Sequence, residues 1–372
     1  MSQQSNNSTP DAAIAEGVQV TTSTGDTKII KARKEVVLSA GAINSPRLLE
    51  LSGIGNADLL QKLGVDVVVD NPQVGKNLQN HPLTGVSFEV RDDVDTLDPF
   101  FRSEPGAVAA EMEAYAKGTG SLGTSNIISS AQLPFPGIAT KEGQQEVNQL
   151  LRNLNAETDA ARNPPANPAF VAAHESFVRS VLTSPTEASA TYLIVPAYNP
   201  FEGSDPGFRA PENHFTVVAM LAHPLSRGSV HITSAAPEHT STSRGLAIDP
   251  QYFSHPLDVE VLARHVRFIE ESIGRAGPLA RYFKPRAARF DSQEKAKEYV
   301  RRTGKGAYHF TGTCSMLPRA TGGVVDEKLR IYGVANLRVC DASIIPIEPR
   351  SNIQAVVYGV AEMGAKLIKE TL

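Results

Sequence analysis

The chain has 372 residues, 41% of them apolar and 20% charged, with a formal net charge of −4. At roughly 150 residues per domain that length allows two domains, and the composition excludes a globally disordered chain. There is no basic field for nucleic acid, the apolar runs are too short to span a bilayer, and Cys314 and Cys340 alone supply no disulfide framework.

Met1 to Pro10 has neither the basic nor the apolar region of a signal peptide, so residues 1–16 read as a disordered lead and the chain as cytoplasmic. Structure begins at Gly17, where Val18, Val20 and Thr22 alternate, Ser23 to Asp26 turn, and Ile29 and Ile30 return: a hairpin. Val36 to Leu38 reads as a buried parallel strand whose small-residue exit, Ser39-Ala-Gly-Ala42, closely approaches something. A helix follows, capped by Asn44 or Ser45, with Pro46 in its first turn and Gly53 as its stop. Asn56 caps a second, shorter helix closed by Gly64, and Val65 to Val69 is a strand.

Beyond Gly85 the chain turns rich in Pro, Asn, Ser and Ala, with helices expected over 107–117, 144–161 and 169–182. Strands are expected over 191–195, 214–221 and 229–233, and an amphipathic helix over 258–273. The last element is a buried helix capped by Ser351 or Asn352, with Ile353, Val356, Val357, Val360, Gly364, Leu367 and Ile368 on one face. Gly118-Thr-Gly-Ser-Leu-Gly123 matches Gly-x-Gly-x-x-Gly, but it follows a helix and opens a Ser-rich loop, so it is a loop and not a dinucleotide site.

Three other segments are specific together: Ser39-Ala-Gly-Ala-Ile-Asn-Ser-Pro-Arg-Leu-Leu-Glu-Leu-Ser-Gly-Ile-Gly55, Val74-Gly-Lys-Asn-Leu-Gln-Asn-His-Pro82, and Tyr308-His-Phe-Thr-Gly-Thr-Cys-Ser-Met316 with Asn336-Leu-Arg-Val-Cys-Asp-Ala-Ser343. They resemble the signature stretches of the glucose-methanol-choline (GMC) flavin oxidoreductases, fungal-type members above all. In the second of them Asn80 stands where the family usually has Asp. The resemblance runs from Gly17 to the C-terminus, without the strand, Gly-x-Gly-x-x-Gly turn and helix with which family members bind the FAD pyrophosphate.

The resemblance implies a discontinuous α/β FAD-domain remnant, residues 17–84 and 305–372, around an α+β substrate domain, 85–304, with a mostly antiparallel sheet. It implies FAD as cofactor and oxidation of a CH–OH group in a small-molecule alcohol. His309 is then the base that takes the hydroxyl proton, and Asn352 holds the substrate oxygen. Ser39, Ala40, Gly41, Ala42, Asn77, Asn80, His81, Asp341 and Ala342 would face FAD, and the Ile353 and Gln354 amides would stabilise negative charge on the reduced ring. Each has a plainer reading: His309 as a structural imidazole, Asn352 as a helix cap, Asp341 as a turn residue, Asn77 as a brace of its own turn. His223 and His231 read as substrate-domain structure and His265 as a satisfied core residue. No histidine pair has metal-ligand spacing supported by a carboxylate, so no metal is expected.

Without the pyrophosphate segment, FAD binding is expected to be weak or absent and the apolar faces of 36–38 and 65–69 exposed. Two alternatives to flavin-dependent oxidation stand: a non-redox cyclase or dehydratase using His309, and a non-catalytic remnant or partner subunit.

Overall fold

A computed structural model describes residues 12–123, 127–161, 167–201, 210–236, 245–275 and 277–371, without the side chains of 154–161. Residues 1–11 of the expected lead lie outside the described residues. The rest of it is anchored, not disordered: the Ala13 amide donates to the Gly333 carbonyl at 3.1 Å and the Ala15 amide to Asn336 Oδ1 at 2.7 Å.

The expected hairpin is present as β1 (Gly17–Thr21) and β2 (Thr27–Lys31), paired antiparallel with Ile29 and Ile30 exposed. The strand β3 (Val36–Leu38) is parallel, as expected, but not buried, since Val37 is exposed. The next helix, α1 (Gly41–Leu51), starts several residues earlier than its sequence suggests. Neither Asn44 nor Ser45 caps it. Instead the carboxylate of Asp341, far along the chain, accepts from the Gly41 amide at 2.9 Å and from the Ser45 hydroxyl at 2.5 Å. A tertiary contact thus replaces the local cap. Pro46 sits inside this helix and cannot donate to the Ala42 carbonyl, which is taken by the Thr313 hydroxyl at 2.7 Å.

Beyond Gly53 come β4 (Ile54–Gly55), α2 (Ala57–Lys62) and β5 (Val69–Asp70), with Asn56 Oδ1 capping α2 at the Leu59 amide. The strand expected over 65–69 shrinks to its last residue and Asp70, leaving Val67 and Val68 exposed. Next, β6 (Lys76–Leu78) and β7 (Pro82–Glu89) bracket a short polar segment.

The middle of the chain contributes α3 (Asp98–Phe101), α4 (Pro105–Ala116), β8 (Ser129–Leu133), α5 (Lys141–Ala161), α6 (Pro168–Thr183), β9 (Ala190–Val195) and β10 (His214–Leu221). It continues with β11 (Gly228–Ile232), β12 (Leu246–Asp249), α7 (Pro256–Phe268), which runs into a π turn over 269–273, and α8 (Gln293–Thr303). The short β13 (Lys305–Gly306) completes a five-stranded antiparallel sheet in the order β13-β7-β10-β9-β8. Val86, Phe88, Tyr192, Val217 and Ala219 on this sheet pack against Val259, Leu262, Val266 and Ile269 of α7 and its π turn.

The last strand, β14 (Leu337–Val339), pairs in parallel with β3, and α9 (Gln354–Lys369) ends the described chain. A second core joins Leu49, Ile54, Val69 and Val74 to Cys314, Val325, Ile331, Leu337 and Val339, so residues from both ends of the sequence share it. Two expectations for α9 fail. Its N-terminus carries no side-chain cap, and the helix is not buried: Val357, Val360 and Leu367 pack on the second core, while Val356, Tyr358 and Met363 are exposed. Among the described residues no helix is long and apolar enough to cross a membrane. The architecture is mixed α/β.

Candidate active site

The site is built on the segment between β6 and β7. Gly306 of β13 pairs with Pro82, so the chain after β13 runs antiparallel to residues 79–82. The Ala307 amide donates to the His81 carbonyl at 3.0 Å, and Gln79 and Thr311 exchange two backbone hydrogen bonds at 3.0 and 3.1 Å. This short ladder sets His309 opposite Asn80 and His81. A third strand of chain, residues 346–349, is tied to the same segment: Gln79 Nε2 donates to the Pro346 carbonyl at 3.0 Å, and Gln79 Oε1 accepts from the Glu348 amide at 3.0 Å.

Three titratable groups converge there. His81 Nδ1 lies 2.9 Å from His309 Nδ1 and 3.3 Å from Glu348 Oε1. His81 Nε2 faces two carbonyls, Pro349 at 2.7 Å and Ala222 at 3.1 Å. Burial and then the neighbouring His309 push the His81 pKa down to about 3. Burial also lowers His309, which is half-buried, and holds the Glu348 carboxyl well above the usual carboxylate range. Burial thus favours the uncharged form of all three groups. Among the described residues both Glu348 oxygens are buried without a hydrogen-bond partner, which fits a group that burial holds toward its uncharged form.

This cluster corrects the reading that no histidine pair has a carboxylate beside it: the ligand-type atoms of His81, His309 and Glu348 lie within 4.8 Å of one another. Sequence spacing missed it because the three come from three separate segments. The 2.9 Å between the imidazole nitrogens is an N–H···N distance. Two nitrogens on one tetrahedral ion with bonds near 2.0 Å would stand roughly 3.3 Å apart, so the geometry here is that of a hydrogen bond.

His309 is held from its backbone as well, its amide donating to Asn80 Oδ1 at 2.9 Å while Asn80 Nδ2 donates to the Tyr252 hydroxyl. A Cβ on Gly306 would overlap both that hydroxyl and the Asn80 amide, so only glycine leaves room for the contact. Tyr308, just before His309, takes φ 61° and is 87% exposed, a left-handed conformation that a bulky residue adopts only under constraint.

The other anticipated residues divide. Ser39, Ala40, Gly41 and Ala42 meet Asp341 and Ala342 where β3 and β14 end: the Ser39 hydroxyl donates to the Cys340 carbonyl at 3.0 Å, and Asp341 also caps the Ser343 amide at 2.8 Å. Ser39 and Ala40 are exposed, whereas Asp341 is buried with its carboxylate fully used in joining α1 to this turn. Asn77 braces more than its own turn, since its amide reaches Ser315 Oγ at 2.9 Å and the Pro346 carbonyl at 3.1 Å and accepts from Arg227 Nε at 2.8 Å. Asn352, Ile353 and Gln354 lie at the open start of α9. Asn352 is exposed, and among the described residues its side chain makes no hydrogen bond, to His309 or to the helix it was expected to cap.

His265 is a satisfied core residue, bonded to Ser189 Oγ at 2.8 Å and the Tyr192 hydroxyl at 2.7 Å. His231 donates to Glu50 of α1 at 2.7 Å, and His223 donates to the Glu348 carbonyl at 3.0 Å, which puts it against the site. Sequence reasoning missed Glu348, Gln79 and Tyr252. Glu348 had a usable signal, a carboxylate flanked by Pro346 and Pro349 in a loop leading to a helix.

The cluster of acid–base groups includes His309, on a loop that Thr313 also ties to the Ala42 carbonyl in the first turn of α1. Comparison with known proteins gives the class: sequence profiles of the GMC oxidoreductases match residues 9–83 and 224–361. Dehydrogenase mpl7 of Monascus purpureus is 32% identical over 96% of this chain and 57% of its own length. The GMC oxidoreductase family protein Mala s 12 of Malassezia sympodialis is 33% identical over 96% of this chain and 52% of its own. Among solved structures, a variant of Aspergillus oryzae formate oxidase superposes with a TM-score of 0.79 at 27% identity, covering 97% of this chain and 59% of that one. The chain belongs to the GMC oxidoreductase family. It spans little more than half the length of these relatives.

Proposed function

We propose that the chain is part of an FAD-dependent oxidoreductase that oxidises a CH–OH group of a small alcohol, with His309 as the base. The observation that carries this reading is His309 itself: a half-buried imidazole kept neutral by burial and held through both its amide and its ring. A neutral imidazole takes a hydroxyl proton and later returns it, which general base catalysis at neutral pH requires. A bound flavin supplies the acceptor for the hydride of the carbinol carbon. Asn352, with an exposed and unengaged amide, donates to the alcohol oxygen as negative charge develops on it.

The residues present fit the flavin end of the cofactor. Ser39 and Ala40 leave an open surface at the ends of β3 and β14, and α9 starts without a side-chain cap, so its first amides are free to face an electron-rich ring. Ser39, Ala40, Gly41, Ala42, Asp341, Ala342, Ile353 and Gln354 would hold it there, with Asp341 acting through the α1 start. The pyrophosphate end is not matched by these residues. The Gly-x-Gly-x-x-Gly run at 118–123 closes α4 instead of opening a helix. We therefore expect this 372-residue chain to bind FAD weakly or not at all. Relatives named as dehydrogenases and an alcohol oxidase favour oxidation over a non-redox reaction.

Two measurements test the reading. Titration with FAD, followed by flavin fluorescence, is expected to give weak or no saturation, and tight stoichiometric binding would refute the weak-binding part. A panel of alcohols added anaerobically to the protein in excess FAD is expected to bleach the flavin band in proportion to the fraction bound. Bleaching that survives His309→Ala undiminished would remove His309 as the base.

A further inference from the structure

The ring contacts of His81 fix which nitrogen of His309 is the base. Carbonyl oxygens only accept, so His81 Nε2, facing the Pro349 and Ala222 carbonyls at 2.7 and 3.1 Å, carries a proton shared between them. A neutral His81 then has its lone pair on Nδ1. The nearest group to that lone pair is His309 Nδ1 at 2.9 Å, and a hydrogen bond at that distance needs a proton from His309. His309 is thereby left with N–H at Nδ1 and a bare Nε2, which has no hydrogen-bond partner among the described residues.

We propose that His81 is a positioning residue that locks His309 in the Nδ1–H tautomer and leaves Nε2 as the proton acceptor. This rests on the reading of His309 as the base. Two backbone carbonyls from different parts of the chain, after β10 and in the loop before α9, set the first proton, and the imidazole pair carries the choice to the reacting ring. The imidazole in the wrong tautomer presents N–H where a lone pair is needed, and general base catalysis fails.

Glu348 matters through its protonation state. Held as a carboxylic acid, the form its burial favours, it leaves His81 neutral, and at 3.3 Å from Nδ1 it is the more distant donor, with His309 the closer at 2.9 Å. Ionised, it would draw a proton onto Nδ1, turn His81 into an imidazolium and reverse the donor direction toward His309. The charged and titratable groups that face the pair are His309 from the loop after β13, Glu348 from the loop before α9, and His223 after β10, while Arg227 faces Glu348. Arg227 pulls the Glu348 carboxyl toward ionisation, and burial outweighs it.

Nitrogen-15 NMR of histidine-labelled protein reads the tautomer directly, needs neither flavin nor turnover, and uses His309→Asn to assign the signal. The expected pattern at pH 7.5 is a protonated, pyrrole-type Nδ1 and a bare, pyridine-type Nε2 at His309. His81→Leu is expected to move His309 toward the Nε2–H form and to lower kcat of flavin-loaded protein about 100-fold with little change in KM. His81→Gln, whose amide can donate to the carbonyls and accept from His309, is expected to restore the Nδ1–H form, and Glu348→Gln to leave it in place. A wild-type His309 in the Nε2–H form overturns the proposal, even if His81→Leu fails to fold. So does an unchanged tautomer in folded His81→Leu. Nδ1–H at His309 with no alcohol oxidation in protein shown to hold FAD would sustain the lock and overturn the redox reading, while oxidation by protein whose His309 is Nε2–H would do the reverse.

Discussion

At the scale of single residues, the site works by withholding charge. Burial lowers His309 below its ordinary value of 6.5, so the neutral base persists to lower pH than a free imidazole would. Since only the neutral ring accepts the proton, kcat/KM is expected to fall on the acid side with a midpoint below 6.5. A midpoint above 7 in the pH profile would show that a different group controls the rate. Asn80 holds the same residue, His309, through its backbone. Its Oδ1 accepts from the His309 amide and its Nδ2 donates to Tyr252, both without charge. Asn80→Asp, which installs the residue more usual in related stretches, places a carboxylate beside the ring and stabilises the imidazolium. The acid limb is expected to move up by about one pH unit, read from the same profile.

At the scale of elements, the contacts between segments decide where helices start. Pro46 leaves the Ala42 carbonyl without its intrahelical donor, and Thr313 supplies the replacement from the loop that also carries His309. Thr313→Val keeps the shape and removes the donor, leaving a carbonyl unpaired beside the buried Ala42. The expected loss is about 1–3 kcal/mol, measured as a drop in the denaturant midpoint with unchanged m-value. No local pattern announces this bond, which explains what the sequence did and did not reveal. Helix interiors and strands were legible where periodicity is long, as in α7 and β10. The stops at Gly53 and Gly64 were legible because glycine there takes φ 80° and 73°. The start of α1 was not, because its cap is Asp341, about 300 residues away. His309 stood out through its neighbours in sequence, whereas Glu348, marked only by the prolines on either side of it, joins the site once Gln79 ties its loop to the segment that carries His81.

At the scale of the whole molecule, buried neutral histidines should make the fold acid-sensitive. His81, His174 and His265 are all buried, and burial lowers them to about 3, 2 and 3 respectively, with Arg227 contributing second at His174 and His309 second at His81. The unfolded chain binds protons at these positions near pH 6.5, while the folded chain refuses them until far lower pH. Stability is therefore complete above 6.5 and is lost as pH falls from 6.5 toward 3. By pH 5 each group costs on the order of 2 kcal/mol. Glu348 works in the opposite direction, since its raised value makes the folded state bind a proton that the unfolded chain releases. One carboxyl offsets part of this, while the three imidazoles together cost about 6 kcal/mol by pH 5. Against a typical total of about 5–15 kcal/mol that is a large fraction. Thermal melts are expected to show a Tm at pH 5 well below that at pH 7.5, with most of the drop below pH 6.5. His265 offers the sharpest check, because burial is what lowers it and its two partners, Ser189 and Tyr192, are themselves buried. Its ring carbons, followed by NMR, should not titrate before the protein unfolds, and a His265 that protonates near pH 6 in the folded state would sink the argument.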